Sequence, residues 1–144
     1  MNLLSRVKIT AHLEDVASAT GTSSGTVIDM AGWDGVLFVA NANATDTRHH
    51  LRAEGGGASS AVNEQLKNTA IENLNKSLAL DIYRPRKRFI RAVFRASDTA
   101  TTRSVIAIQY KSGALPFSHT ATATGATYGR VVVSPDTGTA SDTA

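Results

Sequence analysis

Residues 78–95 read LALDIYRPRKRFIRAVFR, and this stretch indicates how the chain folds. On both sides of a central proline, apolar side chains recur at every second position: Leu78, Leu80 and Ile82, then Ile90, Ala92 and Phe94. A period of two is typical of strands that place one face on a core and the other in water. Proline is tolerated at the start or edge of a strand. The stretch therefore predicts two strands joined by a basic segment.

Short alternating segments of the same kind occur along the rest of the chain. Near the amino terminus, Val7, Ile9, Ala11 and Leu13 are predicted to face a core. Later in the chain, Ile106, Ile108 and Tyr110 are predicted to lie on a single side of a strand. The continuous apolar run at 36–40 predicts a strand buried on both faces, preceded by a turn between Gly32 and Gly35. Six or seven short strands are expected, the pattern of an all-β antiparallel sandwich or barrel.

One segment, residues 62–74, has helical spacing. Its sequence is VNEQLKNTAIENL, and its apolar residues fall on one stripe: Val62, Leu66, Ala70 or Ile71, and Leu74. Thirteen residues with three asparagines are marginal as an isolated helix. We therefore expect at most one short helix in the molecule.

The carboxyl-terminal segment differs in composition from the rest. Of the 27 residues at 118–144, eighteen are Ser, Thr, Ala or Gly, too few apolar groups to offset the entropy of ordering. Residues 1–117 are thus predicted to form the sandwich domain, and residues 118–144 a flexible arm with a possible strand at 129–135. An exposed valine triplet at 131–133 would favour aggregation, so we expect it to pair with a strand of this chain or of a partner.

The bulk composition limits the classes of protein. A chain of 144 residues fits one domain, and with no cysteine it has neither disulfides nor thiolate metal sites. Arg6 and Lys8 interrupt the apolar pattern at the amino terminus, which excludes a secretory core, and no run is long enough to span a membrane as a helix. We expect a soluble product. With a net charge of +3, affinity for polyanions would have to come from a local cluster.

No constellation of residues indicates an enzyme. The chain has no nucleophile elbow, phosphate loop or zinc-protease motif. The nearest candidate for a metal site is HHLRAE at 49–54, but on a strand His49 and His50 point to opposite faces and only His50 and Glu54 share a side. We expect a solvated strand edge there, and predict no catalytic residue, metal or cofactor.

The basic segment carries the strongest functional signal. Residues 83–95 contain six of the fifteen Lys and Arg residues: Arg84, Arg86, Lys87, Arg88, Arg91 and Arg95. With the alternation above, four side chains should face outward: Phe89, Arg91, Val93 and Arg95. Arginines beside an exposed ring suit single-stranded nucleic acid. They also suit a protein interface, because guanidinium groups pair bidentately with carboxylates. A merely solvated face is the third possibility.

Three segments together resemble the small capsid-decoration, or cement, proteins of tailed phages. They are LALDIYRPRKRFIRAVF at 78–94, SVIAIQYKSGALPF at 104–117 and VVVSPDTGTA at 131–140. In that family an Asp-x-Tyr-x-Pro segment leads into an Arg-[Phe/Tyr]-[Ile/Val]-Arg strand, and the chain closes on a Ser-Pro acidic tail. The telling positions here are Asp81, Tyr83, Pro85, Arg88, Phe89 and Arg91. The chain looks most like the cement proteins of podophages such as those of Bordetella.

The resemblance implies a jelly-roll-like antiparallel β-sandwich that binds the outside of an icosahedral capsid and clamps neighbouring major capsid protein subunits. It places the protein on the capsid exterior of the virion, with the host cytoplasm as its place of synthesis, and makes nucleic acid and membrane unexpected partners. The implied capsid interface comprises Arg84, Arg86, Lys87, Arg88, Phe89, Arg91, Arg95, Val131, Val132 and Val133. We expect Arg86, Arg88 and Arg91 to pair with acidic groups of the shell, and the arm to cross a capsomer joint.

Alternatives remain open beside this reading. A twofold dimer is the commonest closed arrangement, so we expect a homodimer at capsomer joints. A nucleic-acid-binding module and a low-copy head-completion or tail component are the other function classes compatible with the residues. Salt dependence of DNA binding and copy number in the virion distinguish them from a cement protein.

Overall fold

A computed structural model describes residues 6–16, 21–43, 48–67, 69–74, 77–96, 102–111 and 128–133. These residues form eleven β-strands and no helix. The strands are β1 (Val7–Val16), β2 (Gly21–Ser24), β3 (Ile28–Asp29), β4 (Gly35–Asn43), β5 (Arg48–Gly56), β6 (Glu64–Gln65), β7 (Ile71–Leu74), β8 (Leu78–Tyr83), β9 (Phe89–Ala96), β10 (Thr102–Tyr110) and β11 (Tyr128–Val133). The predicted all-β class is confirmed, with more strands than the six or seven expected because several are very short.

Two sheets make up the sandwich. The first has five strands in the order β1-β10-β4-β8-β11. The second has the order β2-β9-β5-β6, with β3 also paired to β9 and β7 to β5. Every pairing is antiparallel apart from that of β11, which runs parallel to β8. Neighbours in each sheet are mostly distant in sequence, so the two halves of the chain are interleaved.

The core lies between the sheets and is filled by alternate side chains of the long strands. Its largest fully buried apolar members are Phe38, Phe94, Leu51, Leu66, Ile71, Leu78, Leu80, Ile82 and Ile90. The prediction from residues 78–95 is confirmed, because Leu78, Leu80, Ile82, Ile90, Ala92 and Phe94 all lie in this core. Burial of side chains of this size stabilises a fold by about 2 kcal/mol each before the entropy cost of ordering is counted.

The prediction for β1 is wrong about which face meets the core, and the single side that Ile106, Ile108 and Tyr110 share on β10 is the outer one. Ile9 is 53% exposed and Ile106 is 42% exposed, whereas His12, on the opposite face of β1, is 2% exposed. Leu13 does pack against the core, because a register shift between Ala11 and Leu13 reverses the alternation. An alternating pattern fixes a period of two but not which of two partly apolar faces is inside.

The helix predicted for residues 62–74 is also wrong, since β6 and β7 lie within that segment. Four apolar residues of the segment, Val62, Leu66, Ala70 and Ile71, are buried, and the segment is hydrogen-bonded to β5. The Leu66 N–H donates to the Ala53 carbonyl at 2.9 Å, and the Thr69 hydroxyl accepts from the Ala53 N–H at 3.2 Å. Long-range bonds of this kind outweigh the weak helical preference of a segment with three asparagines.

Candidate protein-binding site

The basic segment forms a loop, residues 84–88, that carries the chain from β8 in the first sheet to β9 in the second. Backbone hydrogen bonds fix both of its ends to the turn at 30–34. The Arg84 N–H donates to the Asp34 carbonyl at 2.7 Å, and the Met30 N–H donates to the Arg88 carbonyl at 2.8 Å. A loop tied at both ends holds its side chains in place before any partner arrives.

The turn beneath this loop is the one predicted between Gly32 and Gly35. Gly32 has a φ of 80°, which glycine adopts without strain, and the Trp33 N–H donates to the Met30 carbonyl at 3.0 Å. The Asp29 carboxylate accepts from the Ala31 N–H at 3.0 Å, the local bond by which aspartate favours turns. The turn therefore presents Trp33 at a fixed place beside the basic loop.

Loop and turn border an open surface pocket of about 390 Å³. Met30, Ala31 and Trp33 line one wall, and residues 84–88 line the other. The Lys111 ammonium lies 5.9 Å from the centre of the Trp33 ring, which adds a further cation beside that wall. The pocket is thus apolar on one side and cationic on the other.

Arg84 occupies a strained backbone conformation at the mouth of this pocket. Its φ of 50° is the one positive value among the described residues other than glycine. Its guanidinium lies 5.1 Å from the centre of the Tyr83 ring. Strain of this kind persists where the surrounding structure imposes it, as the hydrogen bond to Asp34 does here, and is frequent at binding sites.

Arg88 is already paired within the chain. Its Nε and NH2 groups donate to the two carboxylate oxygens of Asp29, each at 2.9 Å. The hydrogen bonds from Arg88, followed by that from the Ala31 N–H, lower the pKa of Asp29 to about 2. Both side chains are exposed, so the pair orients the loop more than it stabilises the fold.

Arg91 and Arg95 lie outside the pocket, on the outer face of the second sheet. Arg91 donates to Glu54 from Nε at 2.9 Å and from NH2 at 2.7 Å, and Arg52 reaches the other oxygen of Glu54 at 3.3 Å. Arg95 is exposed seven residues beyond Arg88, or about 24 Å along an extended strand. The predicted row of six cations is thus divided, and four of its members gather at the pocket.

Phe89 and Val93, the other two residues predicted to face outward, differ in how much of their side chain is exposed. Phe89 is half-buried, with the Arg88 guanidinium 5.0 Å from its ring centre, so a cation already covers that ring. Val93 is 2% exposed, and the prediction that it faces solvent is wrong. It is a short side chain in a central strand, flanked on its own face by Arg91 and Arg95 and paired with Arg52, whose longer stems cover it.

The predicted interface residues Val131, Val132 and Val133 lie on β11. This strand pairs with β8 of the same chain, so the valine segment has an internal partner. The register sets Val133 opposite Tyr83, immediately before the basic loop. The predicted domain boundary at 117–118 and the remainder of the predicted arm lie outside the described residues.

The histidine segment at 49–54 does not assemble a metal site. His49 is 1% exposed and packs against Phe94, whereas His50 on the opposite face lies 3.2 Å from Glu72. Glu54 is engaged by two arginines. Among the described residues, no group of three or more His, Asp or Glu could hold a metal ion.

Sequence reasoning found the cations of the site and missed what surrounds them. The pocket wall of Met30 and Trp33, and the internal partners Asp29 and Glu54, come from distant parts of the chain. A tryptophan between two turn glycines was the one available signal, and it was interpreted as part of the turn alone.

Within the described ranges, no helix is long and apolar enough to cross a membrane. Neither protein-family models, nor curated proteins, nor solved structures match the chain.

Proposed function

We propose that this chain is a structural virion protein that binds the outer surface of an icosahedral phage capsid and clamps neighbouring major capsid protein subunits. The observation that carries the proposal is the pocket between the turn at 30–34 and the loop at 84–88, where cations face an apolar wall with Trp33. Such a surface complements an acidic loop of another protein that also carries an apolar side chain. The capsid as the partner comes from the resemblance of residues 78–140.

The strand order supports the jelly-roll form of the sandwich. Strands β1, β4, β8 and β10 lie in one sheet, and β2, β5 and β9 lie in the other. Along this set of strands the chain crosses from one sheet to the other at each step, and each strand pairs with strands far away in sequence. This interleaving is typical of a jelly roll, in which two Greek keys share one core.

The pairing within the pocket bears on how a shell would be recognised. Arg88 is held by Asp29, so its main role is to fix the loop. The positive charge of the other cations that line the pocket, Arg84, Arg86 and Lys87, complements shell carboxylates. Arg91 is held by Glu54, and it supports the strand behind the loop. A preorganised cationic site loses less entropy on binding than a row of mobile side chains.

Stabilisation of a shell follows from mass action. A protein that binds the assembled shell and not its separated subunits stabilises the shell by its binding free energy at every site. Weak contacts repeated over many sites then resist internal pressure together. A homodimer at capsomer joints would present two pockets to adjacent subunits and gain affinity by bivalency.

Nucleic acid is the less favoured partner because of the geometry around Phe89. Base stacking requires an open ring face, and the Arg88 guanidinium already lies over that ring. At least two of the six cations, Arg88 and Arg91, are neutralised by carboxylates of the chain. Anisotropy with random single-stranded and duplex DNA tests this partner, and tight binding that weakens steeply over ~50 to 300 mM salt would favour it over a capsid.

Co-sedimentation with empty shells, assembled from the major capsid protein of the same genome, tests the proposal. The double variant Arg86→Ser/Lys87→Ser should weaken binding at least ~10-fold, since it removes two charges from the pocket. Arg95→Ser removes a charge from the same sequence segment outside the pocket and should change binding less than ~3-fold. Wild-type protein that stays in the supernatant would refute the capsid proposal, and equal losses in the variants would refute the pocket as its site.

A further inference from the structure

All five strands of the first sheet begin or end at one row of residues. Strand register places these residues side by side across the sheet: Val7, Tyr110, Gly35, Tyr83 and Val133. The segments that precede β1 and β4, and those that follow β10, β8 and β11, therefore all leave the sheet at the same end. We call this end of the sheet the basic end. The turn at 30–34 and the loop at 84–88 lie there, and so does the pocket between them.

Positive charge is concentrated at the basic end. The described segments that adjoin the row carry six cations: Arg6, Arg84, Arg86, Lys87, Arg88 and Lys111. They carry two carboxylates, that of Asp34 directly before the row and that of Asp29 in the ion pair with Arg88. Six cations against two carboxylates leave a local charge of +4, in a chain whose net charge is +3. This end of the molecule therefore attracts a further anion.

Strand β11 brings the chain to the basic end beside the loop at 84–88. It runs parallel to β8 with Val133 opposite Tyr83, so the residues after Val133 and the residues after Tyr83 leave neighbouring strands in the same direction. Neighbouring strands lie ~4.8 Å apart, and three extended residues span ~10 Å. Asp136, three positions after Val133, is accordingly within reach of the loop.

The segment that follows β11 carries only negative charge. Residues 134–142, which lie outside the described residues, read SPDTGTASD, with two aspartates and no lysine or arginine. The other side chains of the segment are small, which lets its backbone approach a surface closely. Its charge thus has the sign that the basic end attracts, and its attachment point lies at that end.

We infer that residues 134–142 bind across the basic end of their own chain, with Asp136 at the loop of residues 84–88. Covalent attachment raises the effective concentration of the segment to the ~mM range, so ion pairs that are weak individually suffice to occupy the site. The segment covers the cations until a stronger acidic ligand displaces it, which disfavours nonspecific polyanions. Competition with shell carboxylates rests on the proposed function, whereas the contact within the chain does not.

Quenching of Trp33 fluorescence by a label on the segment tests this contact. Trp33 is the one tryptophan of the chain and lines the pocket, and the chain has no cysteine, so Thr137→Cys provides a single attachment site for a nitroxide quencher. The label should reduce Trp33 emission at least ~2-fold, because most molecules hold the contact. The control label is attached through Thr22→Cys, at an exposed position opposite Arg95 and ~20 Å along β9 from Phe89.

The quenching should depend on the basic loop and on ionic strength. Arg86→Ser/Lys87→Ser should restore most of the emission, and so should ~0.5 M salt, whereas Arg95→Ser should leave the quenching unchanged. Three results would overturn the inference: a Thr137 label that quenches no more than the Thr22 label, quenching that survives in the folded Arg86→Ser/Lys87→Ser variant, and quenching that rises between ~2 and 100 μM protein, which would mean contact between copies. Far-UV circular dichroism verifies that each variant is folded.

Binding of a fluorescent hexa-aspartate peptide tests the competition without a shell. Asp136→Asn/Asp142→Asn should tighten peptide binding ~3- to 10-fold, because a larger fraction of molecules has an open site. Glu72→Gln removes a carboxylate beside His50, away from the basic end, and should change the affinity less than ~1.5-fold. Equal affinities of the double variant and the wild type would overturn the competition. Neither experiment uses capsids, so failure of shell binding and failure of this inference are distinguishable.

Discussion

Strands β9 and β1 show the same alternation in sequence and place opposite kinds of side chain in the core. In β9 the apolar residues Ile90 and Phe94 face inward and are at most 1% exposed. In β1 the apolar residue Ile9 faces outward, and a histidine at position 12 faces inward. The difference teaches that alternation defines a strand, whereas the choice of face depends on what the opposite sheet requires.

Strand β1 turns a histidine inward because a backbone N–H on the opposite sheet, that of Ala92, needs a hydrogen-bond acceptor. Nε2 of His12 accepts from the Ala92 N–H at 2.8 Å, and the imidazole packs against Phe38 with ring centres 4.9 Å apart. Gly25 leaves room for the ring, because a Cβ there would lie 2.1 Å from Nε2. On the neighbouring strand, Gln109 donates to the Asp29 carbonyl at 2.8 Å. These bonds satisfy buried backbone groups that an apolar residue would leave unpaired.

The largest expected effect is the difference in stability between a substitution in the core and one on the outer face of the sandwich. Phe94→Ala should lower the free energy of unfolding by about 3 to 5 kcal/mol, because it leaves a cavity in the core. Ile106→Ala, on the outer face of the five-stranded sheet, should cost less than about 1 kcal/mol. Urea denaturation of both variants measures the contrast. Similar losses would mean that Ile106 is covered by other parts of the chain.

Acid should lower the free energy of unfolding by about 3 kcal/mol through the protonation of His12. Burial lowers the pKa of His12 from 6.5 to about 4 in the folded protein. The unfolded chain therefore takes up a proton first as the pH falls. Stability should be complete above pH 6.5 and decline down to pH 4.

The control for this titration is His12→Gln, which keeps an acceptor for the Ala92 N–H and does not titrate. Its stability should be flat across the window in which the wild type declines. Asp29, whose pKa is lowered from 3.8 to about 2, acts in a separate and more acidic window, stabilising the fold above pH 3.8 and losing this contribution toward pH 2. Urea midpoints at half-unit pH steps distinguish the two groups. A decline in the Gln variant equal to that of the wild type would assign the effect elsewhere.

A smaller loss is expected when the ion pair behind the loop is broken. Arg91→Met should destabilise the fold by about 2 kcal/mol, because Glu54 is 10% exposed and keeps only Arg52 as a partner. Combining it with Glu54→Gln should recover most of the loss, since the buried charge is removed. Arg88→Ser, in an exposed pair, should leave the urea midpoint nearly unchanged. A double variant no more stable than Arg91→Met would contradict this account.

The smallest expected effect is that of a polar residue on the outer face of β1. Ile9→Thr keeps a β-branched side chain and should change stability by less than about 0.5 kcal/mol at micromolar concentration. Thermal unfolding at micromolar concentration measures this. A loss above about 2 kcal/mol at low concentration would place Ile9 in the core.

Local pattern sufficed for the parts of the fold in which one face of a strand is clearly apolar. Residues 78–95 predicted both strands, their inward sets and the loop between them, and the glycines around Trp33 predicted the turn. The face of β1 could not be predicted, because it depends on an N–H group eighty residues away. The helix at 62–74 failed for a related reason, since β5 supplies hydrogen bonds that the local sequence does not reveal.

The candidate site was predictable in its charges and not in its shape. Six cations in thirteen residues were evident, but two of them have carboxylate partners in distant strands, at positions 29 and 54. The division of the row follows from the chain crossing between sheets after Tyr83. Trp33 joins the site because the turn at 30–34 packs beneath the loop, a contact between elements about fifty residues apart.

The most direct test of the central claim is the number of copies of this protein in purified virions, determined by quantitative mass spectrometry against the major capsid protein. A cement protein that occupies capsomer joints should be present at on the order of hundreds of copies per particle, and should be removed from intact capsids by washing under conditions that weaken its ion pairs. A value of a dozen copies or fewer, or its absence from the particle, would contradict the account and favour a head-completion or tail component, or a protein that does not enter the virion.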